Sequence, residues 1–471
     1  MLVEDWSFCV KLRLMKQLRW YPELIALIAG AALTRFWGLF FPNAVVFDEV
    51  YFKAFAAHYL DGKYYFDIHP PLGKLLLAAF SHVYSLSASS MLNGTAVGLR
   101  VLPALAGLML VPLMWGILRR LGASRPLAFL GALAVLLDNA VLTESRFILT
   151  DSMLLLFGLG AVYFYLLARA SKTNWHWLWL SLAALSAGSA ASIKWTGINA
   201  IAIVGLFWIW DQLHRQLRWP KRIGELAILV ILPISVYLGA FWLHFELLPN
   251  SGDGDAFMTT TFQSTLKGSP YYNPNAHLSF INKFVQLNVE MYHANETLTA
   301  THPYGSRWYT WPLEQRGIYY WEGQVLTDGR QGNIYLLGNP LIWWGVWVAL
   351  FIGLSYLWVT GRKLRPATLT ALVAAGVAYS INLLPFIGVP RVMFLYHYFF
   401  SWFYCLIFTI MLWNDLSGLS DKRRPTRIQW YIVGGIAAGM LLGFLYFSPL
   451  TYGTPLSPTG IQAHMWLRTW R

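Results

Sequence analysis

The chain has 471 residues, of which 57% are hydrophobic and 12% charged, with a formal net charge of +13. Ordinary soluble domains carry about 25% charged residues, so this composition excludes a soluble globular protein. The positive charge does not point to nucleic acid either, because the Lys and Arg residues lie in short loops between apolar runs rather than in one stripe. Membrane lipids are the expected partners of such loops, and no nucleic-acid partner is expected.

From the N-terminus, the basic segment Lys11, Arg13, Lys16 and Arg19 precedes an apolar run too long for a signal peptide, and reads as the entry to an uncleaved first span. Runs of about 20 apolar residues then recur, each long enough to cross a hydrocarbon core of about 30 Å. They predict eleven transmembrane helices near 21–41, 97–118, 124–142, 150–168, 175–192, 195–213, 224–247, 339–359, 367–387, 393–413 and 428–447. The fold class is an all-α polytopic membrane protein. The stretch 175–213 is read as two helices because a single one would be nearly twice the membrane thickness and would bury Lys194 at its centre. Cys9 in the N-terminal tail and Cys405 inside an apolar run exclude a disulfide framework.

Basic clusters at Lys11 to Arg19, Arg119 to Arg125, Arg169 to Lys172, Arg215 to Arg222, Arg362 to Arg365 and Lys422 to Arg427 all fall on one side under this count. That side is therefore cytoplasmic, with the N-terminus inside and the C-terminus outside. Two long loops, 42–96 and 248–338, lie outside. They divide the chain into an N-terminal module 1–247, a large outer loop 248–338 and a C-terminal module 339–471. In the first loop VYFKAFAAHYL and LGKLLLAAFSHVYSL have the spacing of membrane-surface helices, and in the second the stretch 278–293 is amphipathic.

Chemistry-bearing residues concentrate between Phe47 and Lys74. Asp48-Glu49 reads either as a solvated pair at a helix start or as a shielded carboxylate that takes a proton from an alcohol acceptor. Asp67, His69 and Lys74 read either as a turn cap with a snorkelling lysine or as a site for an anionic headgroup or phosphate. Asp67 and His69, two residues apart, match no defined metal motif, and neither a metal nor another cofactor is expected. Arg100, Arg146 with Asp151, Lys194, Arg307 and Arg391 all fall on the outer side, a combination suited to holding a phosphate on which negative charge develops. The aromatic run His302-Pro303-Tyr304-Gly305-Ser306-Arg307-Trp308-Tyr309-Thr310-Trp311-Pro312 reads as an interfacial belt or as a surface for a sugar ring or lipid-linked phosphate. Since no glycine-rich phosphate loop is present, a lipid-embedded donor is favoured over a soluble nucleotide sugar.

The successive segments FDEVYF, FDIHPPLGK, LRVLPALAG, LLDNAVLTESRFILTDS, ASIKWTGI, HPYGSRWYTWPL and FLYHYF resemble the signatures of the protein O-mannosyltransferases. That resemblance implies the GT-C glycosyltransferase fold and a lipid-phosphate-mannose donor. It places the acidic motif on Asp48 and Glu49, with Asp48 the implied base and Glu49 orienting the acceptor or holding the loop. It also places the HPP-Gly-Lys element on His69 and Lys74, the arginine after the first loop on Arg100, and the RFILxDS element on Arg146 and Asp151. Eukaryotic members carry a β-trefoil MIR domain where 248–338 is too short to hold one, which implies a prokaryotic member in a bacterial plasma membrane rather than an endoplasmic reticulum.

The expected activity is inverting transfer of mannose from a polyprenyl- or dolichyl-phosphate-mannose donor to Ser/Thr hydroxyls of proteins at the outer face. Lys74, Arg100, Arg146 and either Arg307 or Arg391 would hold the leaving phosphate, with His69, Asp151, Lys194, His302 and Tyr304 also at the substrate. Two other functions remain open from sequence: transfer of another lipid-linked sugar, or to a lipid or glycan acceptor, and transport of a lipid-linked sugar. Transport is the weaker of the two, because the charges collect at one face rather than at the midplane.

Overall fold

The structure is a computed structural model that describes residues 21–84, 86–93, 96–214, 219–419, 421 and 424–471. Cys9 and the basic residues Lys11 to Arg19, Arg215, Arg218, Lys422 and Arg423 lie outside the described residues. Helix α1 (Pro22–Phe36) is followed in the first loop by two longer helices, α2 (Glu49–Asp61) and α3 (Leu72–Val83), and a short one, Ala88–Asn93. Then come α4 (Val101–Arg120), α5 (Arg125–Leu136), α6 (Asn139–Ser145), α7 (Asp151–Ala170), α8 (Trp175–Ile193), α9 (Ile198–His214) and α10 (Trp219–Leu247). The second loop carries α11 (Phe280–Thr297) and an antiparallel hairpin, β1 (Ile318–Val325) with β2 (Gln331–Leu336), in the register Ile318 opposite Leu336. Helices α12 (Pro340–Thr360), α13 (Pro366–Leu383), α14 (Phe399–Leu416), α15 (Arg427–Tyr452) and α16 (Pro458–His464) complete the chain.

Local signals account for the helix ends. Proline occupies the first turn of α1, α12 and α13, where its missing N–H has no intrahelical partner to lose. Thr426 and Gln429 form a reciprocal capping box at the start of α15. Gly62, Gly361 and Gly453 end α2, α12 and α15 in the left-handed conformation that glycine adopts without penalty.

Among the described residues eight helices are long and apolar enough to cross a membrane, and the bent pair α5–α6 makes a ninth. Helices α1 and α8 occupy the two remaining predicted spans, and Lys194 sits at the turn between α8 and α9 as expected. The three longest helices of the two long loops, α2, α3 and α11, fall on the three predicted amphipathic stretches, and the short helices Ala88–Asn93 and Thr260–Gln263 lie outside them. Helix α14 is buried along most of its length, whereas α10, α12 and α15 present large apolar side chains such as Ile231, Trp358 and Leu442 to the surroundings. This is the distribution of a bundle solvated by lipid.

Two features depart from the expected pattern. The second loop holds the β-hairpin, which packs against α6 and α15. The third predicted span, 124–142, is not one helix but bends by 56° between α5 and α6. A helix broken inside a bundle must satisfy its freed backbone groups within the protein. Arg35 of α1, fully buried, donates to the carbonyls of Val135 (3.0 Å) and Leu136 (2.8 Å). Asn339 Nδ2 donates to the Leu137 carbonyl (3.2 Å). On the other side of the break Asp138 accepts from the backbone N–H of Val141 (2.8 Å) and Asn339 (3.2 Å) and from Trp343 Nε1 (2.6 Å). The break thus locks the N-terminal helices to the start of α12.

Asp138→Ala leaves three buried donors without an acceptor, each worth about 1–3 kcal/mol. The thermal unfolding midpoint in detergent is expected to fall clearly for this variant, and less for Asp138→Asn, which keeps an acceptor oxygen.

Candidate active site

The first loop is held by a fully buried ion pair. Arg100, in the turn that opens α4, meets Glu49 in a bidentate arrangement, with Nε to Oε1 and Nη2 to Oε2 both at 2.7 Å, and both residues are 0% exposed. The remaining guanidinium protons go to the carbonyls of Pro42 and Ala44, each at 2.9 Å, and the Phe147 ring lies 4.9 Å from its centre. Glu49 also accepts from the N–H groups of Val46 and Ile148, each at 2.9 Å. This geometry is the loop-holding alternative for Glu49, and it engages Arg100 within the fold instead of presenting it to a phosphate as expected.

Asp48 stands at the N-cap of α2, yet its side chain accepts no bond from the helix. Its carboxyl faces Lys194, Asp151 and Asp67. Burial raises its pKa to about 6, Asp151 and Asp67 add to the shift, and Lys194 opposes it. Phe47, just before it, is a non-glycine residue at φ 49, a conformation that persists only where the surroundings impose it.

The HPPLGK element forms a second buried cluster. Lys74, 2% exposed, pairs with Asp67 and donates to the His69 carbonyl at 2.7 Å, while His69 Nδ1 lies 3.5 Å from Asp67. Burial alone would raise the Asp67 pKa, but Lys74 and His69 hold it well below the usual carboxylate range. Gly73 is required by close packing, since a Cβ there would stand 2.8 Å from Thr150 Cγ2. Lys74 is therefore engaged inside the loop rather than presented to a phosphate.

Arg146 is likewise internal. Buried at 1% exposure, it donates to the carbonyls of Arg35 (3.1 Å), Trp37 (2.7 Å) and Gly38 (2.8 Å) and lies over the Tyr452 ring, so it caps the C-terminal end of α1. Arg146 is thus engaged by backbone carbonyls and is not among the cavity-lining residues, unlike the phosphate contact expected of it.

A cavity of about 480 Å³ opens between α7, α9, α11, α13 and the segment 386–400. His69, Asp151, Lys194 and Arg391 line it, together with Tyr396 and His397, which the sequence reading did not single out although they sit in the quoted FLYHYF segment. Lys194 donates to Asp151 at 2.6 Å, and its ammonium lies 5.1 Å from the centre of the Tyr396 ring. Leu154, Leu155, Phe386, Val389, Phe399 and Phe400 form an apolar wall. Tyr292, Asn295 and Glu296 at the end of α11 supply a polar one, and Asn295 Nδ2 ties that helix to the first loop through the Ile68 carbonyl at 3.0 Å.

His302, Tyr304 and Arg307 do not line the cavity. The His302 ring meets Phe394 edge-on at 5.1 Å, and the Ser306 N–H bonds the Met393 carbonyl at 2.8 Å. Arg307 reaches the Pro390 carbonyl at 3.4 Å, so this run buttresses the segment that carries Arg391. Among the described residues no group of three or more His, Cys, Asp or Glu side chains is placed to hold a metal ion.

A polytopic helical bundle with a charged cavity under two long loops at one face defines an integral membrane protein. Residues 25–249 match the family model described as dolichyl-phosphate-mannose-protein mannosyltransferase, and residues 280–470 match the C-terminal four TMM region of protein-O-mannosyltransferase. The chain belongs to the protein O-mannosyltransferase family. It is 36% identical over 259 residues to protein O-mannosyltransferase 1 of Drosophila pseudoobscura pseudoobscura, covering 50% of this chain and 28% of that protein. It is 33% identical over 278 residues to dolichyl-phosphate-mannose--protein mannosyltransferase 4 of Saccharomyces cerevisiae, covering 53% and 36%. The chain thus matches about a third of the length of these relatives. The fold is that of a chain of the S. cerevisiae protein O-mannosyltransferase Pmt1-Pmt2 complex bound to the sugar donor, with TM-score 0.85 at 20% identity over 96% of this chain and 93% of that one.

Breaking the Glu49–Arg100 pair leaves one charge buried and unpaired, at about 3–5 kcal/mol. Glu49→Gln and Arg100→Ala are expected to lose yield and thermal stability in detergent. A stably folded Arg100→Ala protein with only a raised donor KM would return Arg100 to the substrate.

Proposed function

We propose that this protein transfers mannose from a polyprenyl- or dolichyl-phosphate-mannose to Ser/Thr hydroxyls of proteins at the outer face of its membrane. The proposed orientation places the N-terminus and the Arg119, Arg125 and Arg365 end of the bundle in the cytoplasm. The carrying observation is that Asp48, a shielded carboxyl with a raised pKa that does not itself line the cavity, is coupled electrostatically to Lys194 and Asp151, which do line it together with Arg391. Family membership supports the donor and the acceptor class. The cavity volume of about 480 Å³ falls within the roughly 300–1,000 Å³ usual for small-ligand sites.

In this reading Asp48 takes the proton of the acceptor hydroxyl as its oxygen bonds to the anomeric carbon. The bond from that carbon to the phosphate oxygen breaks on the opposite side, and the anomeric configuration inverts. Lys194 and Arg391, with His69 at the cavity wall, stabilise the negative charge that develops on the departing lipid phosphate. The apolar wall from Leu154 to Phe400 receives the first part of the lipid chain. Asp151 holds Lys194 in place through its 2.6 Å contact.

The test is transfer by purified protein in detergent from polyprenyl-phosphate-mannose to a Ser/Thr-rich peptide. Asp48→Asn is expected to stay folded and to lose roughly 100- to 10,000-fold in turnover; full turnover in that variant would remove the base assignment. A base works only when ionised, so wild-type turnover should rise with pH through about 6 and level off above it. Lys194→Ala and Arg391→Ala should each raise the donor KM and lower kcat in the same assay, without the loss of folding expected for Arg100→Ala.

A further inference from the structure

Outside the cavity lining, a buried tyrosine stacks on Phe47, the residue before Asp48, and bonds a buried carboxyl. The hydroxyl of Tyr320 on β1 donates to Glu144 Oε2 at the end of α6, at 2.5 Å, with both side chains buried. The Tyr320 ring lies parallel to that of Phe47, with centroids 4.3 Å apart and planes 9° from parallel. Phe147 packs against Tyr320 at 6.1 Å, and Phe394 closes on Phe47 at 6.4 Å. Phe47 holds φ 49, a region that a bulky side chain occupies only when its neighbours over-determine it. Because Phe47 directly precedes Asp48, its torsions set the path of the backbone from which the Asp48 side chain projects.

We propose that Tyr320 and Glu144 form a positioning pair: their hydrogen bond fixes the tyrosine ring, the ring holds Phe47 in its left-handed conformation, and that conformation aims Asp48 at the acceptor hydroxyl. The inference rests on the reading of Asp48 as the base. It gives the hairpin of the second loop a part in the reaction, since β1 carries the tyrosine to the first loop. The charged and titratable groups that face Asp48 are Lys194, Asp151, Asp67, Tyr320 and Tyr396. Glu144 in turn faces Asp151 and Lys194.

The experiment compares Tyr320→Leu, Tyr320→Phe, Glu144→Leu, Glu144→Gln and Asp48→Asn in the peptide transfer assay, with turnover normalised to donor-binding sites. Tyr320→Leu and Glu144→Leu are expected to lower kcat roughly tenfold to a hundredfold with donor KM unchanged, the size expected when a reacting group is misplaced. In both, the midpoint of the rising pH limb should move from about 6 toward the ordinary carboxylate range, because the carboxyl is no longer held in its shielded position. Glu144→Gln keeps an oxygen that accepts from the tyrosine and should retain wild-type kcat and midpoint; Tyr320→Phe keeps the stacked ring and should fall between. Wild-type kcat per site and an unmoved midpoint in both leucine variants would overturn the proposal, even if thermal stability falls. So would a Glu144→Gln enzyme as impaired as Glu144→Leu. An active Asp48→Asn enzyme would instead remove the underlying base reading, which separates the two failures.

Discussion

The buried Glu49–Arg100 pair is the interaction on which the site depends. Two opposite charges with no solvent exposure are tolerable only because the hydrogen bonds around them are also made: carbonyls of Pro42 and Ala44 take the remaining guanidinium protons, and the N–H groups of Val46 and Ile148 take carboxylate lone pairs. The pair therefore joins the segment after α1, the first turn of α2, the start of α4 and the turn before α7. Asp48 lies between Glu49 and the strained Phe47, so its position follows from that junction.

The break between α5 and α6 is the second structural commitment. A continuous helix through Leu137 and Asp138 would satisfy its own backbone, whereas the bent one draws on Arg35 from α1 and on Asn339 and Trp343 from the start of α12. Asn139 adds a bond to Thr451 Oγ1 at the end of α15, at 2.9 Å. The break thus becomes the place where the two halves of the chain are bonded together. The same bend carries α6 to the hairpin, bringing Glu144 to Tyr320.

Cations on this face divide into two groups by what surrounds them. Arg35, Arg100, Arg146 and Lys74 are surrounded by backbone carbonyls and carboxylates of the fold, and their charges stabilise helix ends and loops. Lys194 and Arg391 line the cavity, where a ligand would meet them. Lys194 shares its charge with Asp151 at 2.6 Å, so what sets it and Arg391 apart in the proposed reaction is that they border the cavity, not that they lack a partner. The aromatic run from His302 to Trp308 acts through the segment it supports, not by contact with the cavity.

What the sequence determined by itself is the bundle and the neighbourhood of its site. Apolar runs of membrane length report spans because lipid leaves a backbone no other partners, and the charge of Lys194 forced a turn between α8 and α9 for the same reason. The HPPLGK and FDEVYF segments marked the loop that holds Asp48, since charged residues gathered beside an apolar span have few other uses. Tertiary structure alone decided which charges face a ligand. An arginine in sequence looks the same whether its partner is a phosphate or a carbonyl about a hundred residues away, as Arg35 and Arg146 show. The bend at Asp138 was hidden too, because Leu136-Leu137 continues an apolar run and the groups that stabilise the break come from α1 and α12. Tyr396, Glu144 and Tyr320 were illegible for a related reason: aromatic and acidic residues beside a span are common, and only the fold brings these together around the cavity and Asp48.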